Sequence, residues 1–88
     1  MRIEVSPTPN PNAMKFTVDV KLVAAGSRTF DSAQEAGADP LAKKLFEQTG
    51  VKSVFMLGNF VTVTRAAGIE WSDLLPRLER AMREHFGA

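Results

Sequence analysis

Two runs of alternating hydrophobic and polar residues open the chain. Ile3 and Val5 alternate with Arg2 and Glu4, which predicts a short half-buried strand. From Met14 the alternation is longer: Met14, Phe16, Val18 and Val20 fall on one face, Lys15, Thr17, Asp19 and Lys21 on the other. That pattern predicts the clearest strand of the protein. Between the two runs stand Pro7, Pro9 and Pro11 with Asn10 and Asn12. Proline removes backbone donors and holds the preceding residue extended, so Ser6 to Ala13 reads as an ordered loop. Gly26 and Ser27 mark a turn, and Arg28, Thr29 and Phe30 a brief third strand returning from it.

The period then changes. Asp31, Gln34 and Gly37 permit one helical turn. Asp39 suits a helix N-cap, Pro40 the first helical position, and Gly50 a left-handed residue past the end. Leu41, Leu45 and Phe46 make one apolar stripe between them, which predicts a helix over 40–48. Val51 to Arg65 reads as a hairpin around Gly58 and Asn59, with Met56 opposite Val61 and Val54 opposite Val63 on the core face. Trp71, Leu74, Leu75, Leu78, Met82 and Phe86 recur at three- and four-residue steps and predict a helix from about Asp73 to Phe86. Pro76 is best tolerated in its first turn, behind a Ser72 or Asp73 cap. The order β-β-β-α-β-β-α implies an α+β fold of two layers, a mainly antiparallel sheet with two helices on one face.

With 88 residues, 44% of them hydrophobic and 24% charged, the chain fits one small globular domain across 1–88. A formal net charge of +1 argues against broad electrostatic binding to nucleic acid or an anionic membrane. The absence of cysteine excludes disulfides, thiolate nucleophiles, Cys-rich zinc and Cys-ligated iron–sulfur clusters on this chain. No apolar run is long enough for a membrane span, and the first residues lack a signal-peptide pattern, so the expected location is cytoplasmic.

Candidate chemistry is sparse. His85 lies in the final helical turn, where a donor or cation is favourable without any catalytic task. Asp31, Glu35 and Asp39 fall where caps belong and lack paired-acid metal spacing. Arg77, Arg80 and Arg83 are interleaved with acids, Glu79 four before Arg83 and Arg80 four before Glu84, which makes a solvated mixed-sign face. No catalytic residue, metal ligand or cofactor site is assigned. Two features remain. Phe55, Leu57 and Phe60 fall on the hairpin face opposite the core, and three large apolar side chains there imply a partner or a covering loop. The stiff loop carrying Asn10 and Asn12 is the second: it either covers that patch or joins it in an interaction surface. The five residues Asn10, Asn12, Phe55, Leu57 and Phe60 are the candidate partner-binding set.

The segment TPNPNAMKF at positions 8–16 resembles the opening signature of the N-terminal domain of Nfu/NifU-type iron–sulfur cluster scaffold proteins. The likeness continues through Pro40-Leu41-Ala42, Leu45-Phe46, Gly50-Val51, Ser53-Val54-Phe55, Phe60 to Thr64, and the spacing of Trp71, Leu74 and Pro76. Asp39 stands where the family commonly has serine, and the hairpin glycine falls one residue later than usual. The resemblance implies a two-layer α/β domain and a place in cluster biogenesis. Family scaffolds hold the cluster on a Cys-x-x-Cys motif in a second, C-terminal domain, so no cluster ligand has a counterpart here. The expected function is that of a free-standing, non-catalytic accessory module contacting an iron–sulfur assembly or recipient protein, its oligomeric state open. The alternative is a small-ligand or enzymatic site between the proline loop and the outer sheet face, unrelated to clusters.

Overall fold

The alternating runs become strands β1 (Ile3–Pro7) and β2 (Ala13–Val18), paired antiparallel with Ile3 opposite Val18 and Val5 opposite Phe16. They belong to a computed structural model that describes residues 2–87. After them come β3 (Ser27–Phe30), a 3₁₀ turn (Glu35–Ala38), α1 (Pro40–Phe46), β4 (Val51–Leu57), β5 (Phe60–Arg65) and α2 (Trp71–Phe86). The strands form one antiparallel sheet in the order β1-β2-β5-β4-β3. The fold is therefore α+β with two layers, as the hydrophobic pattern predicts.

Strand alternation sorts the layers. Phe16, Val54, Met56, Val61 and Val63 point to one face and are at most 1% exposed. Leu41 and Leu45 of α1 and Leu74, Leu78 and Met82 of α2 close over that face and complete a single core. Burying a side chain of this size contributes about 1.5–3 kcal/mol, so the helices are held chiefly by this contact. The hairpin follows its predicted register, Val54 opposite Val63 and Met56 opposite Val61. Gly58 at φ +58° followed by Asn59 at negative φ has the signs of a type II′ turn.

The α1 N-cap forms where the sequence places it, whereas α2 starts behind Glu70 with no side-chain cap, not behind Ser72 or Asp73. The Asp39 carboxylate accepts from the Ala42 N–H at 3.0 Å, and Pro40 opens α1. The helix ends two residues earlier than predicted, at Phe46, because the Gln48 N–H bonds Leu45 O and the Val51 N–H turns back to Gln48 O. Gly50 thus lies beyond the helix end, in the turn into β4.

Three expectations need correction. The alternation predicts Val20 on the core face, yet it is 41% exposed. The hairpin tip explains this: the Asn59 carbonyl accepts from the Val18 N–H at 2.9 Å, the Asn59 amide donates to Val18 O at 3.2 Å, and Gly58 O accepts from the Leu22 N–H at 2.7 Å. These bonds draw the chain across the tip before Val20 can continue the ladder. Second, α2 begins at Trp71, so Pro76 lies past the first turn. The bond it forfeits would end on the carbonyl of Ser72, an exposed residue that water can serve. Third, the apolar stripe puts Trp71 in one row with Leu74 and Leu78, yet Trp71 is only half-buried, its indole N–H finding an acceptor in the proline loop.

Candidate functional site

The register that buries one face of the sheet fixes the composition of the other. One row across it reads Ser6, Lys15, Thr62, Phe55 and Thr29 from β1 to β3. The next reads Glu4, Thr17, Phe60, Leu57 and Ser27. No helix covers these rows. Hydroxyl side chains dominate them, and Phe55, Leu57 and Phe60 form the apolar centre.

The two phenyl rings meet with centroids 6.2 Å apart and planes tilted by 45°, a geometry within the favourable aromatic range. Lys15 arrives from β2 with its Nζ 4.3 Å from the Phe60 centroid. An ammonium over a ring face is attracted by the ring quadrupole. Leu57 is 40% exposed, while the two phenylalanines are half-buried.

The proline loop is anchored elsewhere. The Thr8 hydroxyl reaches the carbonyls of Asn10 and Ala13 at 2.9 and 3.1 Å and accepts from the Asn10 N–H. The Asn12 N–H donates to Asn10 Oδ1 at 2.9 Å, so the loop is stitched by its own side chains. Its exit is clamped by Arg65, whose backbone N–H donates to Asn12 O at 2.8 Å and whose Nε donates to Asn12 Oδ1 at 3.2 Å. The same guanidinium donates to Ile69 O and stacks 5.4 Å from the Trp71 ring, while Trp71 Nε1 donates to Pro11 O.

The five candidate residues therefore fall into two groups. Phe55, Leu57 and Phe60 stand together; Asn10 and Asn12 stand at the other end, with their side-chain oxygens engaged inside the chain. Ala13 lies opposite Thr64 and Thr17 opposite Phe60, a separation of four strand positions or about 13 Å. The loop is fastened toward Arg65 and Trp71, not toward Phe60. Sequence reasoning missed Lys15 as a member of the patch. Its alternation with Met14 and Phe16 puts it on the outer face, but its proximity to Phe60 depends on the non-local pairing of β2 with β5.

Elsewhere the polar groups serve the fold. Asp39 also accepts from Arg28 at 3.2 Å, and the Glu35 carboxylate accepts from the Asp31 N–H. Glu79 pairs with Arg83 at 3.9 Å, while Glu84 pairs across to Lys44 at 3.7 Å. Among the described residues no group of three or more His, Asp or Glu side chains is placed to hold a metal, and no helix is long and apolar enough to cross a membrane. Two surface depressions of about 260 and 280 Å³ lie beside Arg2 and Asn59 and beside Asp39 and His85. Both fall under the roughly 300 Å³ at which ligand pockets begin. Neither includes a residue of the proline loop.

Comparison with known proteins gives a consistent picture. Over its full length the chain is 35% identical to an NFU1 iron-sulfur cluster scaffold homolog, mitochondrial, of Drosophila ananassae. It is 40% identical over 80 residues, 89% of the chain, to a NifU-like protein of Schizosaccharomyces pombe. The chain spans 31% of the length of each of these curated relatives. The crystal structure of protein SAV1430 from Staphylococcus aureus superposes with a TM-score of 0.82 at 28% identity, covering 93% of this chain and 99% of that one. The family model described as scaffold protein Nfu/NifU N terminal matches residues 3–88. The register, the proline loop and these likenesses agree: the chain belongs to the Nfu/NifU scaffold N-terminal family.

Proposed function

We propose that this domain is a non-catalytic interaction module of iron–sulfur cluster assembly or delivery, docking an assembly or recipient protein on its outer sheet face. The observation that carries the reading is the aromatic pair Phe55–Phe60 beside exposed Leu57 on a face that no helix covers. Aromatic residues at the centre of a hydroxyl-rich rim have the anatomy of a binding hot spot. The place in cluster metabolism rests on family membership and on relatives named as cluster scaffolds. These 88 residues carry no thiolate to ligate a cluster, so the contribution proposed for this domain is recognition.

Affinity capture from cell extract tests this, run in parallel with the parent domain and Phe60→Ser. Cluster-assembly or cluster-recipient proteins retained by the parent and lost with the variant are the expected result. Retention of none of them, or equal retention by both baits, would refute it.

A further inference from the structure

The outer face carries a charge asymmetry that the docking reading leaves unused. Lys15 is half-buried and has no carboxylate partner among the described residues; its neighbour across β1 is Ser6 and across β5 is Thr62. The acid on the adjoining row, Glu4, is already bound by Arg2 at 2.8 Å. An ammonium seated on Phe60 at 4.3 Å thus stands at the β2 edge of the apolar patch with its charge unmatched. From this we infer that the outer face recognises an acidic segment of its partner protein: a carboxylate that meets Lys15, flanked by apolar side chains that cover Phe55, Leu57 and Phe60. The inference rests on the docking reading above and names the chemistry of what docks.

Charge complementarity separates this occupant from the others. A second copy laid face to face would bring two Lys15 ammoniums onto one patch, while the nearby carboxylates are already engaged, Glu4 by the Arg2 side chain and Asp19 by the Arg2 N–H. An anionic membrane is held by clusters of about four to eight basic residues, each worth about 1 kcal/mol, and this face presents Lys15 and the Glu4-paired Arg2. A carboxylate on an apolar segment satisfies both parts of the surface at once.

Panning a random twelve-residue peptide display library on the immobilised domain tests the inference. Selected peptides are then measured by titration against the parent, Lys15→Gln, Lys15→Arg, Phe60→Ser and Leu57→Ser, each first shown to be folded by its thermal transition. The expected peptides combine Asp or Glu with large apolar residues. Lys15→Gln weakens them about three- to fivefold, the effect of one modest ion pair, while Lys15→Arg retains them. Raising ionic strength weakens binding to the parent and not to Lys15→Gln. Phe60→Ser weakens them on the order of thirtyfold, as loss of an aromatic anchor does, and Leu57→Ser gives the same direction.

Peptides without acidic residues, or acidic peptides indifferent to Lys15→Gln and to salt while still lost with Phe60→Ser, overturn the acidic partner and leave the docking face standing. Peptides that bind Phe60→Ser and Leu57→Ser as tightly as the parent overturn the docking face itself. No enrichment over a blank surface, or self-association in sedimentation that Phe60→Ser abolishes, also overturns the proposal.

Discussion

The indole nitrogen of Trp71 donates to the carbonyl of Pro11 at 3.0 Å, across 60 residues of sequence. This bond ties the first turn of α2 to the proline loop, and Arg65 fills the angle between them by stacking on the indole and clamping Asn12. The proline loop is thus a fastening between the sheet and α2. Trp71→Phe keeps most of the ring packing and removes the donor. The expected cost is about 1 kcal/mol, the usual worth of one such bond, with faster amide exchange at Asn12 and Ala13. Urea denaturation and hydrogen exchange measure the two effects. Unchanged exchange in the loop would show that the indole does not hold it.

Gly50 meets two constraints at once. Its φ of +108° is one that side chains rarely adopt, and a Cβ built there would lie 2.8 Å from Cγ2 of Ile69. Gly50→Ala should therefore cost about 2–4 kcal/mol, the sum of backbone strain and overpacking. Gly26, at φ +68° with open space around it, separates the two contributions, since Gly26→Ala should cost only the roughly 1–2 kcal/mol of the left-handed backbone. Thermal unfolding of both variants checks the difference. Equal losses would mean that Ile69 yields freely.

Asp39 has two tasks, one carboxylate oxygen on the Ala42 N–H at 3.0 Å and the other on Arg28 at 3.2 Å. The cap is the larger. Asp39→Asn preserves an acceptor for Ala42 and gives up the charge on Arg28, a pair whose arginine is more than half exposed; its cost should stay under about 1 kcal/mol. Asp39→Ala removes both and should cost about 1–2 kcal/mol. Denaturation midpoints for the two variants decide which task dominates. A loss for asparagine close to that for alanine would reverse the assignment.

Elements whose signals are local were legible in the sequence. Asp39 and Pro40 announce α1 by capping chemistry, and Gly58 sets the hairpin register because a two-residue turn leaves Val54 and Val63 no other partner on the core face. Phe55, Leu57 and Phe60 follow from that register by alternation alone. What the sequence did not disclose depends on contacts distant along the chain. Val20 continues a perfect alternation, but the tip of β4 and β5 turns the strand aside after Val18. Trp71 belongs to an apolar stripe, but its N–H is settled by Pro11. Lys15 looks like any solvent-facing strand residue until β5 is inserted beside β2 and brings Phe60 beneath it. In each case periodicity identifies the face, and a polar atom needing a partner decides the final placement.

The exposed patch makes the sharpest prediction, because its two readings move opposite observables. Phe60 is half-buried, its ring touching Phe55 and Lys15 and lying on the side of the sheet away from the core. Phe60→Ser loses one aromatic contact and one cation–π contact, which together are worth about 1–2 kcal/mol. A phenylalanine enclosed in the core would cost about 3–5 kcal/mol on truncation. The stability of the variant therefore reports directly whether anything lies over the ring. A loss near 1 kcal/mol, with partner affinity reduced on the order of thirtyfold or more, is the outcome of an open docking face. A loss of 3 kcal/mol or more, with the folded fraction binding as tightly as the parent, would mean that another segment of the chain packs there and that Phe60 serves the fold. Chemical denaturation and a titration with the captured partner, made on the same preparation, place the variant on one side or the other.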